Sequence, residues 1–372
     1  MNLNNPFVVR GYSGPEFFCD RVQETKRLTS ALRNERDVTL IAPRRYGKTG
    51  LIHNVFGRMG RGAQVVYIDI FATRNLADFT KLFAGAVVGA LDTKVERAMS
   101  NVAKFFKSCR PTMTPQEAGL PKFSFDIAPS MAEATLKEAF DYIAKRDRRL
   151  VIAIDEFQQI LEYPEKGTEA LLRGYIQFVP QAHFIFSGSR QHLMREMFMQ
   201  PRHPFYQSAE IMNLDVIGLA PYARFARRFF NDAGLPFEDE VFGRLYARFE
   251  GITWYLQIVL NKIWEYGKGM PDDAIVEAAV SELVETRDFE FHDLLRSQSE
   301  SCGRLLRGIA AAGVVDELQS AAFLAGCGGM APSSAASALE SLLDRDLVYR
   351  TEAGYVVYDR FFGLWLQRQS VK

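Results

Sequence analysis

The chain is short of the residues that build metal centres and disulfide frameworks. It has 372 residues and only four cysteines, Cys19, Cys109, Cys302 and Cys327, spread far apart with no C-x-x-C pair. That spacing argues against a zinc ribbon or a disulfide scaffold and for free thiols in a reducing compartment. The five histidines form no H-E-x-x-H or comparable cluster. Net charge is absent as well, with 45 Lys plus Arg against 45 Asp plus Glu. A balanced chain makes no global case for nucleic acid or an acidic partner, although local basic patches remain open. Long hydrophobic runs are missing. The longest nearly pure one, Leu82 to Leu91, contains Gly85 and Gly89 and is too short to span a bilayer. The opening, Met1-Asn2-Leu3-Asn4-Asn5-Pro6, has no basic segment followed by an apolar one. No secretory signal and no membrane association are expected, and the expected location is cytoplasmic. There is no internal repeat or low-complexity stretch.

What is present is organised around Leu40-Ile41-Ala42-Pro43-Arg44-Arg45-Tyr46-Gly47-Lys48-Thr49-Gly50. The apolar run Val38-Thr39-Leu40-Ile41 leads in, and Leu51-Ile52 and Val55-Phe56 follow at helical spacing. Strand, loop and helix in that order are the context of a phosphate-binding loop. Amides of residues 42–50 and the positive end of the following helix would cradle a β-phosphate. Lys48 would reach the β- and γ-phosphates, and the Thr49 hydroxyl would hold Mg²⁺. Ala42 stands where G-x-x-x-x-G-K-[ST] has its first glycine, so the loop should form unless that position needs a positive φ. The plainer alternative is a basic turn between a strand and a helix.

Composition and length allow two or three domains. Residues 6–20, rich in proline, glycine and aromatics, read as an irregular arm. Asp20 is placed to cap an amphipathic helix with Val22, Leu28 and Leu32 along one stripe. Strands are expected at 65–70, 150–156, 183–189 and 210–214, and helices at 76–91 and 131–144. Four or five β–α units around such a loop make a P-loop NTPase sheet, an α/β fold with parallel strands. Residues 92–130 stand apart. Lys94, Arg97, Lys104, Lys107 and Arg110 are followed by Pro111, Pro115, Pro121 and Pro129. They read as a basic helical piece and then an irregular insertion. Past Pro221 the pattern is helical at 223–232, 239–249, 253–266 and 272–285. Further helices near 293–312, 316–326 and 332–345 precede a hairpin pattern around Glu352-Ala353-Gly354. Three helices and a hairpin are the order of a winged helix. The expected domains are 1–215, 216–290 and 291–372.

Asp155-Glu156 closes the apolar run Leu150 to Ile154. A carboxylate there can support Mg²⁺, and its neighbour can polarise a water for attack on a γ-phosphate. Asp155 is thus the expected metal residue beside Thr49, and Glu156 the expected general base. A capped helix start with a first-turn acid is the alternative. Arg190, in Ser187-Gly188-Ser189-Arg190, would neutralise charge developing on the γ-phosphate; an exposed arginine after a turn is the other reading. Pro221 offers a rigid apolar edge for an adenine, or simply starts a helix. The third helix of the winged segment, Pro332 to Arg345, exposes mainly serine and acid with one arginine. Phosphate attraction needs lysine or arginine, so a protein-interaction or autoinhibitory role is favoured over base reading.

Together these residues resemble the archaeal-type ATPase family of the STAND class of AAA+ P-loop NTPases. Arg21 and Glu24 match the family's Gly-Arg-x-x-Glu box, which lies near the adenine, with Asp20 in place of glycine. Pro43 to Thr49 is similar to its Pro-Arg-Arg-x-Gly-Lys-Thr loop, and Ile154 to Gln158 to its Walker B strand. Gly188-Ser189, Met194 and His203-Pro204-Phe205-Tyr206 resemble its later boxes, where Gln207-Ser208 replaces the usual Gly-Arg. Tyr355 to Asp359, Phe361-Phe362 and Trp365-Leu366 resemble its winged-helix close. The resemblance implies an ATPase module, a helical lid and a winged helix acting as a nucleotide-controlled switch on a protein partner. ATP or ADP and Mg²⁺ would be its ligands, and an oligomer on ATP binding is possible. Two other functions remain open: an ATP-dependent DNA-binding regulator or defence component, and a nucleotide-bound scaffold without turnover.

Overall fold

The computed structural model describes residues 5–92, 102–114, 122–267 and 269–370. The chain divides into two compact units. One, the sheet unit, comprises Val8–Tyr222 with Ile252–Trp254. The other, the helical unit, comprises the residues up to Phe7, Ala223–Gly251 and those from Tyr255 onward.

The sheet unit holds five parallel strands: β1 (Val38–Ile41), β2 (Gln64–Asp69), β5 (Leu150–Asp155), β6 (Ala182–Gly188) and β7 (Glu210–Asn213). Their spatial order is β2-β5-β6-β1-β7. β1 therefore lies between β6 and β7, with Leu40 opposite Ser187 on one side and Met212 on the other. Side chains alternate between the faces of a strand. In β5, Leu150, Ile152 and Ile154 enter one apolar cluster, while Val151 and Ala153 enter another. A strand buried on both faces reads as a continuous apolar run, which is the signature of a parallel sheet covered on both sides. The helices α1 (Val22–Arg33) and α2 (Lys48–Met59) supply Leu28, Leu32, Leu51 and Ile52 to the second cluster. The helices α3 (Leu76–Leu91) and α4 (Ala132–Ala144) supply Phe79, Phe83, Leu136 and Phe140 to the first. α3 starts where the Asn75 side chain accepts from Asp78 N at 2.8 Å, an N-cap that satisfies one open amide. Helices α5 (Thr168–Ile176) and α6 (Gln191–Met199) complete this unit.

Two expectations for the sheet unit are corrected. The insertion is not irregular after Arg110. β3 (Arg110–Thr114) and β4 (Lys122–Asp126) form an antiparallel hairpin. Phe123 and Phe125, two apart on one strand face, are buried with Phe106 in the first cluster, and burial of these rings outweighs the proline punctuation. Lys94 and Arg97 of the basic segment, with Pro115 and Pro121, lie outside the described residues. Nor does Asp20 cap α1. Both Asp20 (φ 50°) and Arg21 (φ 61°) are left-handed, and no side chain caps the helix. The chain turns there to deliver the Arg21 side chain instead.

The helical unit begins with α7 (Leu219–Asp232), whose first residues belong to the sheet unit, followed by α8 (Asp239–Arg248) and α9 (Thr253–Tyr266). Then come α10 (Asp273–Glu285), α11 (Asp288–Arg296), α12 (Glu300–Ala312), α13 (Ala321–Gly326) and α14 (Pro332–Asp344). The hairpin β8 (Val348–Thr351) and β9 (Gly354–Val357) and a last helix, α15 (Arg360–Ser370), close the chain. Phe7 is fully buried. It stacks on Phe230 at 5.2 Å and meets Trp264 edge-on at 6.0 Å. The helix expected at 293–312 is two helices, because Ser299 accepts from Cys302 N and starts α12 anew. α15 has no counterpart among the expected elements; its Trp365 indole donates to Asp288 at 2.7 Å. Among the described residues no helix is long and apolar enough to cross a membrane.

Candidate functional site

The loop between β1 and α2 is built on positive-φ residues at its far end. Arg45 (φ 73°) and Gly47 (φ 91°) take the left-handed conformation, while Ala42 does not. The missing first glycine is therefore tolerated. Ala42 is 1% exposed, and its methyl sits in the second apolar cluster. Gly47 precedes α2 without any side-chain cap, and the first turn carries no acid. The opening amides of α2 and its positive dipole end are left for an anion.

Lys48 is buried, 6% exposed, and its ammonium donates to Ala42 O (2.9 Å) and Pro43 O (3.2 Å). Burial holds its pKa below the usual lysine value, with Arg44 acting the same way; the nearby Glu156 and Asp155 carboxylates push it back up. Next to it, Thr49 Oγ1 donates to Asp155 Oδ2 at 2.8 Å. Asp155, at the end of β5, is 4% exposed. The same Oδ2 accepts from the Tyr67 hydroxyl at 2.8 Å. Tyr67 is one strand over in β2, where Asp69 is registered with Asp155. Burial, and then the Asp155 charge, hold the Tyr67 phenol far above its ordinary pKa, so it remains a donor.

Glu156 adopts a left-handed backbone (φ 56°, ψ 42°). Its Oε2 accepts from Ser189 Oγ at 2.6 Å, Gln158 Nε2 at 2.6 Å and Ser189 N at 3.3 Å. Gly188 makes this clamp possible, since a Cβ there would lie 2.4 Å from Gln158 Oε1 and 2.5 Å from Met194.

Two arginines pair with acids. Arg21 is 2% exposed and bridges Glu24 Oε1 (2.8 Å) and Tyr46 O (3.0 Å), tying the start of α1 to the loop. Arg190 forms an ion pair with Glu162. The loop's own arginines stack on aromatics: Arg44 over Phe71 at 5.3 Å and Arg45 over Trp254 at 4.3 Å. Trp254 N also donates to Arg45 O at 3.1 Å, so the loop holds Trp254, a residue of the same unit. Phe18 packs against Gly50, where a Cβ would stand 3.3 Å from its ring. Pro221 lies in the first turn of α7, and Tyr222 beyond it donates to Thr253 O at 3.2 Å.

The fold thus gathers residues 42–50, Asp155, Glu156 and Ser189, ties Arg21 to the loop through Tyr46 O and to Glu24, and pairs Arg190 with Glu162. Sequence reasoning missed Tyr67 and Trp254, and named Gln158 only as part of the Walker B stretch. For Tyr67 a signal existed: a polar-tipped aromatic in an otherwise apolar strand beside the acid-ended one.

The chemistry available is phosphate binding beside oxygen donors. The Thr49 hydroxyl and Asp155 carboxylate are hard oxygens of the kind Mg²⁺ takes alongside phosphate and water. Among the described residues no group of three or more His, Cys, Asp or Glu could hold a metal by itself.

A five-stranded parallel sheet with β1 at its interior, a loop opening onto a helix N-terminus, and a buried lysine define a P-loop NTPase. Residues 18–259 match the family described as an ATPase domain predominantly from Archaea, and the chain belongs to that family. Residues 289–368 match a probable winged helix domain. The chain is similar to the Walker-type ATPase of Pyrococcus abyssi, with TM-score 0.65 and 18% identity over 97% of this chain and 99% of that one. It is also similar to the ORC2 protein of Aeropyrum pernix, solved in ADPNP and ADP complexes (TM-score 0.55, 17% identity, 99% and 98% covered). The ORC1 protein of the same organism, solved in complex with DNA, gives TM-score 0.54 at 12% identity (96% and 94% covered). These likenesses concern the fold. No curated protein matches the chain.

Proposed function

We propose that the protein is a Mg²⁺-dependent ATPase of the AAA+/STAND kind that turns over slowly and uses its nucleotide state as a switch on a protein partner. In this reading residues 1–215, 216–290 and 291–372 are the ATPase domain, the helical lid and the winged helix, and the protein works in the cytoplasm. Amides of residues 42–50 and the ammonium of Lys48 take the β- and γ-phosphates, Lys48 exchanging the Ala42 and Pro43 carbonyls for phosphate oxygens. Thr49 and Asp155 hold Mg²⁺, which when bound neutralises phosphate charge and fixes its geometry. Glu156 accepts the proton of the attacking water. Arg190, released from Glu162, meets charge on the γ-phosphate, while the Arg21 box and Pro221 border the base.

The observation that carries this reading is the pairing of Thr49 with Asp155 beside a carboxylate on the next residue. The clamp on Glu156 supports slow turnover: three donors on Oε2 hold the carboxylate against Ser189 and Gln158, and it must turn from them to reach a water. The hold of the loop on Trp254 supports the switch, since α9 continues from that residue into the helical unit.

A DNA-directed role remains the second reading. It draws on the fold likeness to the DNA-bound Aeropyrum protein and on the basic insertion; the acidic α14 weighs against it. A scaffold without turnover would leave the Asp155–Glu156 pair without a task. Calorimetric titration with ATP and Mg²⁺ tests the proposal. Wild type should bind, and Lys48→Ala should lose at least about 100-fold, since charge-assisted bonds of about 1.5–3 kcal/mol disappear. Equal affinity of the two proteins would remove Lys48 from the phosphate site.

A further inference from the structure

The winged-helix part of the chain carries a groove of about 680 Å³ that the nucleotide chemistry does not use. Asp316, Glu317, Glu340 and Asp344 line it, and Leu339, Leu343 and Tyr355 give it apolar surface. Arg350 is the one cation among the lining residues, and its guanidinium sits 5.5 Å from the Tyr355 ring centre. Four carboxylates against one guanidinium leave a formal charge of −3.

Local structure fixes both walls. α14 turns Ala335, Ala338 and Leu342 into the core. Residues three and four apart share a helix face, so Ala336, Leu339 with Glu340, and Leu343 with Asp344 form a neighbouring stripe along the groove. Leu343 is 36% exposed, an uncovered leucine beside an acid. On the other wall, Val315 and Tyr355 exchange backbone hydrogen bonds of 3.0 and 2.8 Å. Gly354 lets them meet, because a Cβ there would stand 2.5 Å from Val315 O, and its φ of 134° is a glycine conformation. That bridge holds Asp316 and Glu317 at the rim.

We infer that this groove docks an amphipathic helical segment of a protein partner, apolar along one face and rich in lysine or arginine beside it. The inference deepens the partner-coupling reading above and rests on it. The partner's apolar side chains cover Leu339, Leu343 and Tyr355, and its cations meet the four carboxylates, the mode by which helices lie in grooves. Charge complementarity selects this occupant. A phosphate backbone would be repelled by the same carboxylates and would leave the leucines wet.

The test is fluorescence anisotropy of the full chain with a labelled synthetic Leu/Lys amphipathic helix, with ATP and with ADP. A scrambled peptide of the same composition and a DNA duplex serve as comparisons. The helix should bind at least about tenfold tighter than the scrambled peptide, and added salt should weaken it. Glu340→Lys combined with Asp344→Lys should weaken binding about tenfold or more. Leu343→Ser, which keeps every charge, should also weaken it, and Asp232→Lys, outside the groove, should not. Nucleotide affinity should be unchanged in all variants. Equal binding of the scrambled peptide, full binding by both groove variants, or DNA binding lost with the same substitutions would overturn the inference. So would a self-associated chain that the charge reversal dissociates, which would make the occupant a second copy. Helix binding through the groove that is identical in ATP and ADP supports the groove and contradicts the switch.

Discussion

Replacing Tyr67 by phenylalanine removes one hydroxyl and leaves the ring that packs against His53 at 4.7 Å. That hydroxyl is one of two donors on Asp155 Oδ2, each at 2.8 Å, the other being Thr49. A hydrogen bond to an ionised acceptor contributes about 1.5–3 kcal/mol. Tyr67 is only partly buried, so the lower end, about 1.5 kcal/mol, is the reasonable figure. If Asp155 holds Mg²⁺, its orientation depends on this bond, and outer partners of metal ligands change metal affinity by about 10–100-fold. The expected result is a rise of about tenfold in the Mg²⁺ concentration needed for half-maximal ATP binding. ATP binding in EDTA should hardly change, because the loop amides and Lys48 are untouched. A fluorescent ATP analogue titrated with MgCl₂, and again in EDTA, separates the two. Burial keeps the phenol protonated well beyond the working range, so the effect should be flat between pH 6 and 9. A Mg²⁺ midpoint within about twofold of wild type, in a protein with an unchanged melting temperature, would refute the positioning argument. Equal losses with and without Mg²⁺ would mean that Tyr67 supports the loop rather than Asp155.

Ser189→Ala removes the 2.6 Å hydroxyl bond on Glu156 Oε2 while leaving Gln158 and the backbone amide. If the clamp restrains the base, steady-state ATP turnover should rise several-fold at unchanged ATP affinity; a fall in turnover would mean the hydroxyl orients the base instead. Asp37 gives a pH prediction. Its carboxylate accepts from Phe184 N at 2.7 Å, yet burial raises its pKa to about 6. A group raised in the folded state contributes stability at low pH that is lost as pH rises through the folded value. Between pH 4 and 6, Asp37→Asn should therefore lose the part of the stability decline that wild type shows, at most about 3 kcal/mol. The amide oxygen still accepts from Phe184. Denaturant melts across that range check it, and parallel curves for the two proteins would contradict it.

The phosphate loop and the acid-ended strand could be read from sequence because each is a local pattern. Val38 to Thr49 puts strand, turn and helix in fixed order, and Leu150 to Asp155 is apolar on both faces because helices cover both. The hairpin at 110–126 escaped because its prolines suggested loop, whereas its stability comes from Phe123 and Phe125 reaching a core formed by distant helices. The Asp20 cap failed for a similar reason. Nothing local announces that two left-handed residues turn the chain so that Arg21 can reach Tyr46 O, 25 positions on. Ser189 was visible as a polar group after a strand, but its grip on Glu156 depends on β6 lying beside β5 and on Gly188 admitting Gln158. Trp254 was hidden inside an apparently ordinary helical pattern; its bond to Arg45 O spans 209 residues of chain, counted from 45 to 254.

In the proposed mechanism Glu156 takes a proton from the attacking water. Single-turnover hydrolysis of radiolabelled ATP, with enzyme in excess and Mg²⁺ present, compares wild type with Glu156→Gln. The glutamine can keep the Ser189 hydrogen bonds through its carbonyl oxygen but cannot accept a proton at working pH. The predicted result is unchanged ATP binding and a hydrolysis rate lower by at least about 100-fold, the contribution usual for a positioned base. Equal single-turnover rates for the two proteins would contradict the claim.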